Sequence, residues 1–125
     1  MRFLPFILCR DMKITDNTQS LKRNNDFRRV YRREKSEAGG FAAVYVLKNR
    51  LGSNRLGLTV GKTVGKAIVR SRVKRLLREC YRDWADKLPE GYDFIFVARS
   101  RAAGKSLEQL RKDVGYALKK LDMIK

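Results

Sequence analysis

Apolar positions recur along this chain with two different periods, and the changes of period mark its elements. In "NNDFRRVYRREK", Phe27, Val30 and Tyr31 fall at i, i+3 and i+4, one face of a helix. Asn24 or Asn25 is placed to cap it, and Asp26 suits the positive end of the helix dipole. "EAGG" ends that helix, and "FAAVYVLKN", rich in aromatic and β-branched residues, predicts a strand. After the turn "RLGSN", "RLGLTVGK" predicts a second strand, so residues 41 to 62 read as a hairpin. A helical period then runs from residue 67 to about 87, opened after Gly65 and stopped by "LPEG". "YDFIFVAR" is apolar on both faces, the mark of a buried strand. A last helix begins at Ser106, which with Gln109 forms an S-x-x-Q capping box. Leu107, Leu110, Val114, Leu118 and Leu121 are its apolar stripe.

The resulting order, α-β-β-α-β-α, predicts an α+β fold, an α/β sandwich in which helices pack on a small mixed sheet. One domain is expected over residues 21–125, with no internal repeat and no low-complexity linker. Residues 12 to 21 are polar and read as loose, and residues 1–20 as a whole as a disordered or mis-started extension. The apolar patch "FLPFILC" is short, holds Pro5 and is followed by "RDMK" without a small-residue cleavage site; a start at Met12 explains it better than a signal peptide does. No run is long enough to span a bilayer.

Charge changes the picture. The chain of 125 residues holds 30 Lys and Arg against 13 Asp and Glu, a formal charge of +17. A small domain so charged repels itself, and a polyanion is its natural partner: nucleic acid first, an anionic membrane surface second. Cys9 and Cys80 are far apart and suggest no disulfide framework, which favours a reduced, intracellular setting. The absence of histidine removes His-based triads, His acid–base catalysis and His metal ligands.

One concentration of this charge sits on the central helix. "AIVRSRVKRLLRECYR" carries six cations and a single acid, Glu79. At about 100° per residue, Val69, Val73, Leu76, Leu77, Cys80 and Trp84 gather on one side. Arg70, Lys74, Arg75, Arg78 and Arg82 gather on the other, with Ser71 among them and Arg72 at the flank. A solvated face normally mixes signs, whereas like charges at i, i+4, such as Arg70–Lys74–Arg78–Arg82, are destabilising until phosphates turn the repulsion into attraction. The dominance of Arg suits forked phosphate contacts.

A second cluster, "LKRNNDFRRVYRREK", holds seven cations interleaved with Phe27 and Tyr31, and Tyr45 lies on the adjacent strand. Aromatic faces among cations can hold single-stranded nucleic acid, the bases stacking while the backbone is neutralised. From spacing alone, Phe27 and Tyr31 fit an ordinary core equally well. Glu79, Asp83 and Asp86 share a helix face and could hold a divalent ion, but pairing with Arg75, Arg82 and Lys87 is the better reading, so no metal site is assigned. No constellation for catalysis by the protein is found.

The stretch "NRLGLTVGKTVGKAIVRSRVKRLLRECYR" resembles the bacterial ribonuclease P protein family: a Gly-x-x-Val strand, a Lys-rich turn, an Arg-Asn-Arg helix, then Lys-Arg-Leu and Arg-Glu. The resemblance extends upstream through "LKRNNDFRRVYRREKS" and "FAAVYVLKN", and downstream through "DFIFVAR" and the last helix, over roughly residues 21 to 121. It implies a cytoplasmic protein subunit of an endoribonuclease whose chemistry is carried by an RNA subunit with Mg2+. That protein would aid 5′ maturation of precursor tRNA and bind no cofactor, membrane or small-molecule substrate itself. The residues implied to face the RNA subunit are Lys62, Lys66, Arg70, Ser71, Arg72, Lys74, Arg75 and Arg78. Those implied to bind the 5′ leader are Phe27, Tyr31 and Tyr45. A rare left-handed β-α-β crossover around the basic helix comes from the resemblance alone, since general rules favour the right-handed form. The chain departs from the family where Ser71 replaces the usual Asn, losing its amide fork, and where Lys66 replaces an Asn and Thr63 a Lys. The alternative is a basic RNA-binding module, a ribosomal protein or RNA chaperone, without an enzymatic partner.

Overall fold

A computed structural model describes residues 18–21, 24–33, 35–49 and 51–124. The elements are β1 (Thr18–Ser20), α1 (Asn24–Arg33), β2 (Lys35–Ala38), β3 (Ala42–Lys48), β4 (Asn54–Thr59), α2 (Ala67–Trp84), β5 (Tyr92–Ala98) and α3 (Leu107–Lys120), with 3-10 turns at Ala85–Lys87 and Ser100–Ala102. The α+β sandwich and its mixed sheet are as expected. The two short strands β1 and β2 are additions to the predicted order. Neither carries an apolar alternation, and β1 falls where the sequence reads as loose.

The five strands lie in the order β1-β4-β5-β3-β2. β4 is parallel to β1 and β5, whereas β3 is antiparallel to β5 and β2. The predicted hairpin over residues 41 to 62 therefore does not form, because β5 lies between β3 and β4. The reason is burial. Phe94, Ile95 and Phe96 are fully buried, so β5 needs cover on both faces and a neighbour on both edges. Two asparagines carry the β3–β4 connection across the start of β5. Asn49 Nδ2 donates to Ser53 O (3.1 Å) and Asp93 Oδ1 (2.8 Å), while Asn54 Nδ2 donates to Pro89 O (3.0 Å) and its Oδ1 accepts from Tyr92 N (3.0 Å).

The alternation of side chains sorts the sheet into two faces. Val44, Val46, Leu56, Phe94 and Phe96 face α2 and α3, where Val73, Leu77, Cys80, Tyr81, Leu110, Val114 and Leu118 complete the main core. Tyr81, which the helical wheel leaves out of the apolar set, is fully buried. Its ring meets those of Phe94 and Phe96 at 6.0 Å between centroids. Leu21, Val30 and Ile95 form a smaller cluster under α1 on the opposite face. α3 starts with the predicted capping box: Ser106 Oγ accepts from Gln109 N (3.2 Å), and Gln109 Oε1 accepts from Ser106 N (3.0 Å). Leu107, assigned to its apolar stripe, is instead exposed in the first turn. Trp84 locks α2 to α3, its ring filling the space over Gly115 and its Nε1 donating to Arg111 O (3.2 Å). Among the described residues no helix is long and apolar enough to cross a membrane.

Candidate nucleic-acid interface

The basic helix is launched from the carboxyl end of β4. A short turn, in which Val64 N donates to Gly61 O and Gly65 N to Lys62 O, leaves Lys62 exposed. Gly65 then takes φ 152°, and a Cβ there would stand 3.1 Å from the Val69 side chain, so a glycine fits this entry best. Lys66 is the N-cap residue, its side chain making no capping bond and remaining exposed.

Beyond it α2 buries Val73, Leu77, Cys80 and Tyr81 and turns Ser71, Lys74, Arg75 and Arg82 to solvent. Arg82 pairs with Glu79 at i, i+3. The remaining cations are less open than the wheel suggests. Arg70, placed on the solvent side by the sequence reading, is half-buried and its Nε is buried without a hydrogen-bond partner. It stands at i−3 from Val73 and i−7 from Leu77, so it borders the buried stripe. Arg72 is half-buried and its Nη2 donates to Lys105 O (3.1 Å). Arg78 is half-buried too. Burial, then the charge of Arg82, lower its pKa, partly offset by Glu79. It remains a cation at neutral pH. Among the described residues, no acid lies within ion-pair distance of Lys62, Lys66, Arg70, Arg72, Lys74, Arg75 or Arg78. The face is thus positive on balance, and among the described residues these cations are not neutralised by acids.

The acids of α2 are drawn elsewhere. Glu79 takes Arg82, as expected, but Asp83 lies 3.8 Å from Arg111 Nε of α3, and Lys87 sits over the Trp84 ring at 5.4 Å. No ion pair joins Glu79, Asp83 or Asp86 to Arg75 or Lys87 among the described residues.

On the opposite face of the sheet, α1 packs across the strands. Phe27 is half-buried and lies over Gly57 of β4. Tyr45, also half-buried, is in register with Ile95, and both rings pack against the Leu21–Val30–Ile95 cluster. The Phe27 ring packs on Gly57 and on this cluster while the residue stays only partly buried. Tyr31 lies in α1, but its side chain is outside the described residues. The same side of the sheet holds an anchor that sequence reasoning missed. Asp93, fully buried, accepts from Arg55 Nε (2.8 Å) and Nη2 (2.7 Å) and from Asn49 Nδ2 (2.8 Å), and Arg29 Nη2 of α1 stands 3.6 Å away. The signal available was a lone acid in the otherwise apolar strand "YDFIFVA".

The family model described as Ribonuclease P matches residues 15–122 of this chain. The chain belongs to that family. The Ribonuclease P protein component of Alkaliphilus oremlandii is 45% identical over 104 residues, covering 83% of this chain and 91% of the relative. That of Clostridium perfringens is 46% identical over 108 residues, covering 81% of this chain and 86% of the relative. The solved Staphylococcus aureus RNase P protein superposes with a TM-score of 0.78 at 29% identity, covering 85% of this chain and 97% of that one. As a ribonuclease P protein, the chain is a subunit of the enzyme that matures the 5′ end of tRNA, and its partner in that ribonucleoprotein is an RNA.

Proposed function

We propose that the outward face of α2 docks on the ribonuclease P RNA subunit and that the α1 side of the sheet holds the 5′ leader of precursor tRNA, in the cytoplasm. The observation that carries this reading is the set of Lys62 and Lys66 at the entry to α2 and Lys74 and Arg75 on it, exposed and unopposed by acids among the described residues, with the helix's other side fixed in the core. Ser71 is exposed on the same helix and offers a hydroxyl, a single donor, in place of an amide fork. Arg70, Arg72 and Arg78, half-buried on the same helix, are assigned to the same RNA contact. Each phosphate met by such a cation releases counterions, which provides affinity without sequence preference.

Phe27 and Tyr45, aromatic rings only partly buried beside the cations of α1, are assigned to stack unpaired nucleotides, and Tyr31 is assigned to the same role. Arg29, half-exposed beside Asp93, supplies positive charge on that side. The hydrolytic step is assigned to the RNA with Mg2+. Among the described residues no group of three Cys, Asp or Glu side chains comes together as an ion site. Asp93, Asp113, Glu79 and Asp83 are instead engaged by cations or by main-chain N–H groups. The protein's part is then to neutralise phosphates that would otherwise hold RNA and substrate apart, lowering the Mg2+ requirement.

The test is reconstituted cleavage of precursor tRNA at low Mg2+. Addition of this protein to the RNA subunit restores cleavage, and stimulation is lost in a Lys74→Ala/Arg75→Ala variant. No stimulation over RNA alone would favour a basic RNA-binding module without an enzymatic partner.

A further inference from the structure

The sheet places a second group of cations beside the first. β4 and β5 are parallel neighbours, so the connections that leave their carboxyl ends, residues 60–66 toward α2 and 99–106 toward α3, emerge side by side. The first holds Lys62 and Lys66; the second holds Arg99, Arg101 and Lys105. Phe41, which precedes β3 and so lies at the same end, links them. Its half-buried ring carries Lys105 Nζ at 4.9 Å and Arg101 Cζ at 5.9 Å from its centroid.

Main-chain bonds fix the cluster. Arg99 Nη1 donates to Gly39 O (3.0 Å), Arg99 N to Phe41 O (2.8 Å), and Arg72 Nη2 of α2 to Lys105 O (3.1 Å). The acids nearby are occupied. Asp113 accepts from the N–H groups of Gly40, Phe41 and Ala42, and Glu108 pairs with Lys112. No acid lies within ion-pair distance of Arg99, Arg101 or Lys105 among the described residues.

We propose that Arg99, Arg101 and Lys105, held by Phe41 and tied to α2 through Arg72, form a second phosphate-binding surface for the ribonuclease P RNA subunit, continuous with the amino-terminal half of α2. The inference rests on the assignment of α2 to that RNA. The occupant is the RNA subunit, not the tRNA leader, because the cluster adjoins the α2 side and the assigned leader site lies beside α1 on the opposite face of the sheet. The ring-bound cations present their charge at a fixed place, so phosphate capture there loses less side-chain freedom than capture by loose lysines.

The experiment is equilibrium binding of the in vitro transcribed RNA subunit across a monovalent salt series, by the intact protein and by Arg101→Gln/Lys105→Gln, which keeps side-chain bulk on Phe41. Lys74→Ala/Arg75→Ala serves as the α2 reference, and Arg101→Lys/Lys105→Arg retains both charges. The Gln pair lowers affinity on the order of 20-fold near physiological salt. Its log–log salt slope is shallower by about 1.4–1.8, because two phosphates keep their counterions on binding. The charge-retaining pair matches the unsubstituted protein. A Gln pair indistinguishable from the unsubstituted protein, beside a weakened α2 reference, would overturn the proposal and leave the α2 assignment standing. A weakened Gln pair whose charge-retaining counterpart is equally weak would also overturn it. So would a defect confined to precursor tRNA binding by the assembled holoenzyme. An unaffected α2 reference would instead remove the assignment on which the proposal rests.

Discussion

Gly57 of β4 lies beneath the ring of Phe27: a Cβ at that glycine would stand 2.6 Å from Phe27 Cζ and 3.2 Å from Leu21 Cδ2. The absence of a side chain at position 57 is what lets α1 approach the sheet and the Phe27 ring lie against β4. Gly57→Ala therefore overpacks the α1 side, costing about 1–3 kcal/mol in denaturant unfolding, and moves the ring from its seat. Retention of full stability and full leader affinity in that variant would contradict the placement of Phe27.

Phe27→Leu separates packing from stacking. Leucine still covers Gly57 and the Leu21–Val30–Ile95 cluster but has no π-face. Affinity for precursor tRNA falls by about 1–3 kcal/mol, that for mature tRNA without a leader is unchanged, and the unfolding midpoint moves little. Equal losses for both RNAs would return Phe27 to a purely structural role.

Much of this arrangement could be read locally, and some of it could not. The capping box at Ser106, the apolar strand Tyr92–Ala98 and the period of α2 are properties of neighbouring residues, so the sequence displays them. Strand order is not local. The β3–β4 hairpin is plausible until β5, which follows in sequence only after the whole of α2, inserts between them. β1 and β2 are short edge strands without alternation, defined by their partners. A helical wheel for α2 separates most apolar from most basic positions but puts the half-buried Arg70 and Arg78 on the open side and leaves out the buried Tyr81. The anchor Asp93 and the cluster at Phe41 unite residues from different elements, and only the fold brings them together.

Asp113 of α3 ties down the chain entering β3 through three main-chain N–H groups at 2.8–3.1 Å. Asp113→Ala leaves those donors unsatisfied at a partly buried site and costs about 1.5–3 kcal/mol by thermal or denaturant unfolding. Gly39→Ala, whose Cβ would clash with the Asp113 carboxylate, destabilises through the same contact. Unaltered midpoints in both variants would contradict the clamp.

Cys80 is fully buried, and burial, then the negative charge of Asp83, push its thiol up to about 12. A thiol raised in the folded state contributes its stability below the unfolded pKa and loses that contribution as pH rises through the folded value. Stability therefore declines between about pH 9 and pH 12 more steeply in the intact protein than in Cys80→Ala. In a Cys9→Ser background, disulfide-exchange labelling at about pH 8 is slow when folded and complete in denaturant. Fast labelling of the folded chain would show that α2 does not hold Cys80 in the core.

At the centre stands the proposal that α2 docks on a polyanion through Lys62, Lys66, Lys74 and Arg75, cations that no acid opposes among the described residues. Equilibrium affinity of the unsubstituted protein for the ribonuclease P RNA subunit, measured against monovalent salt, tests this most directly. About five to eight phosphate contacts predict a log–log slope of about −3.5 to −7. A flat dependence would mean that the charge of α2 is not what holds the RNA.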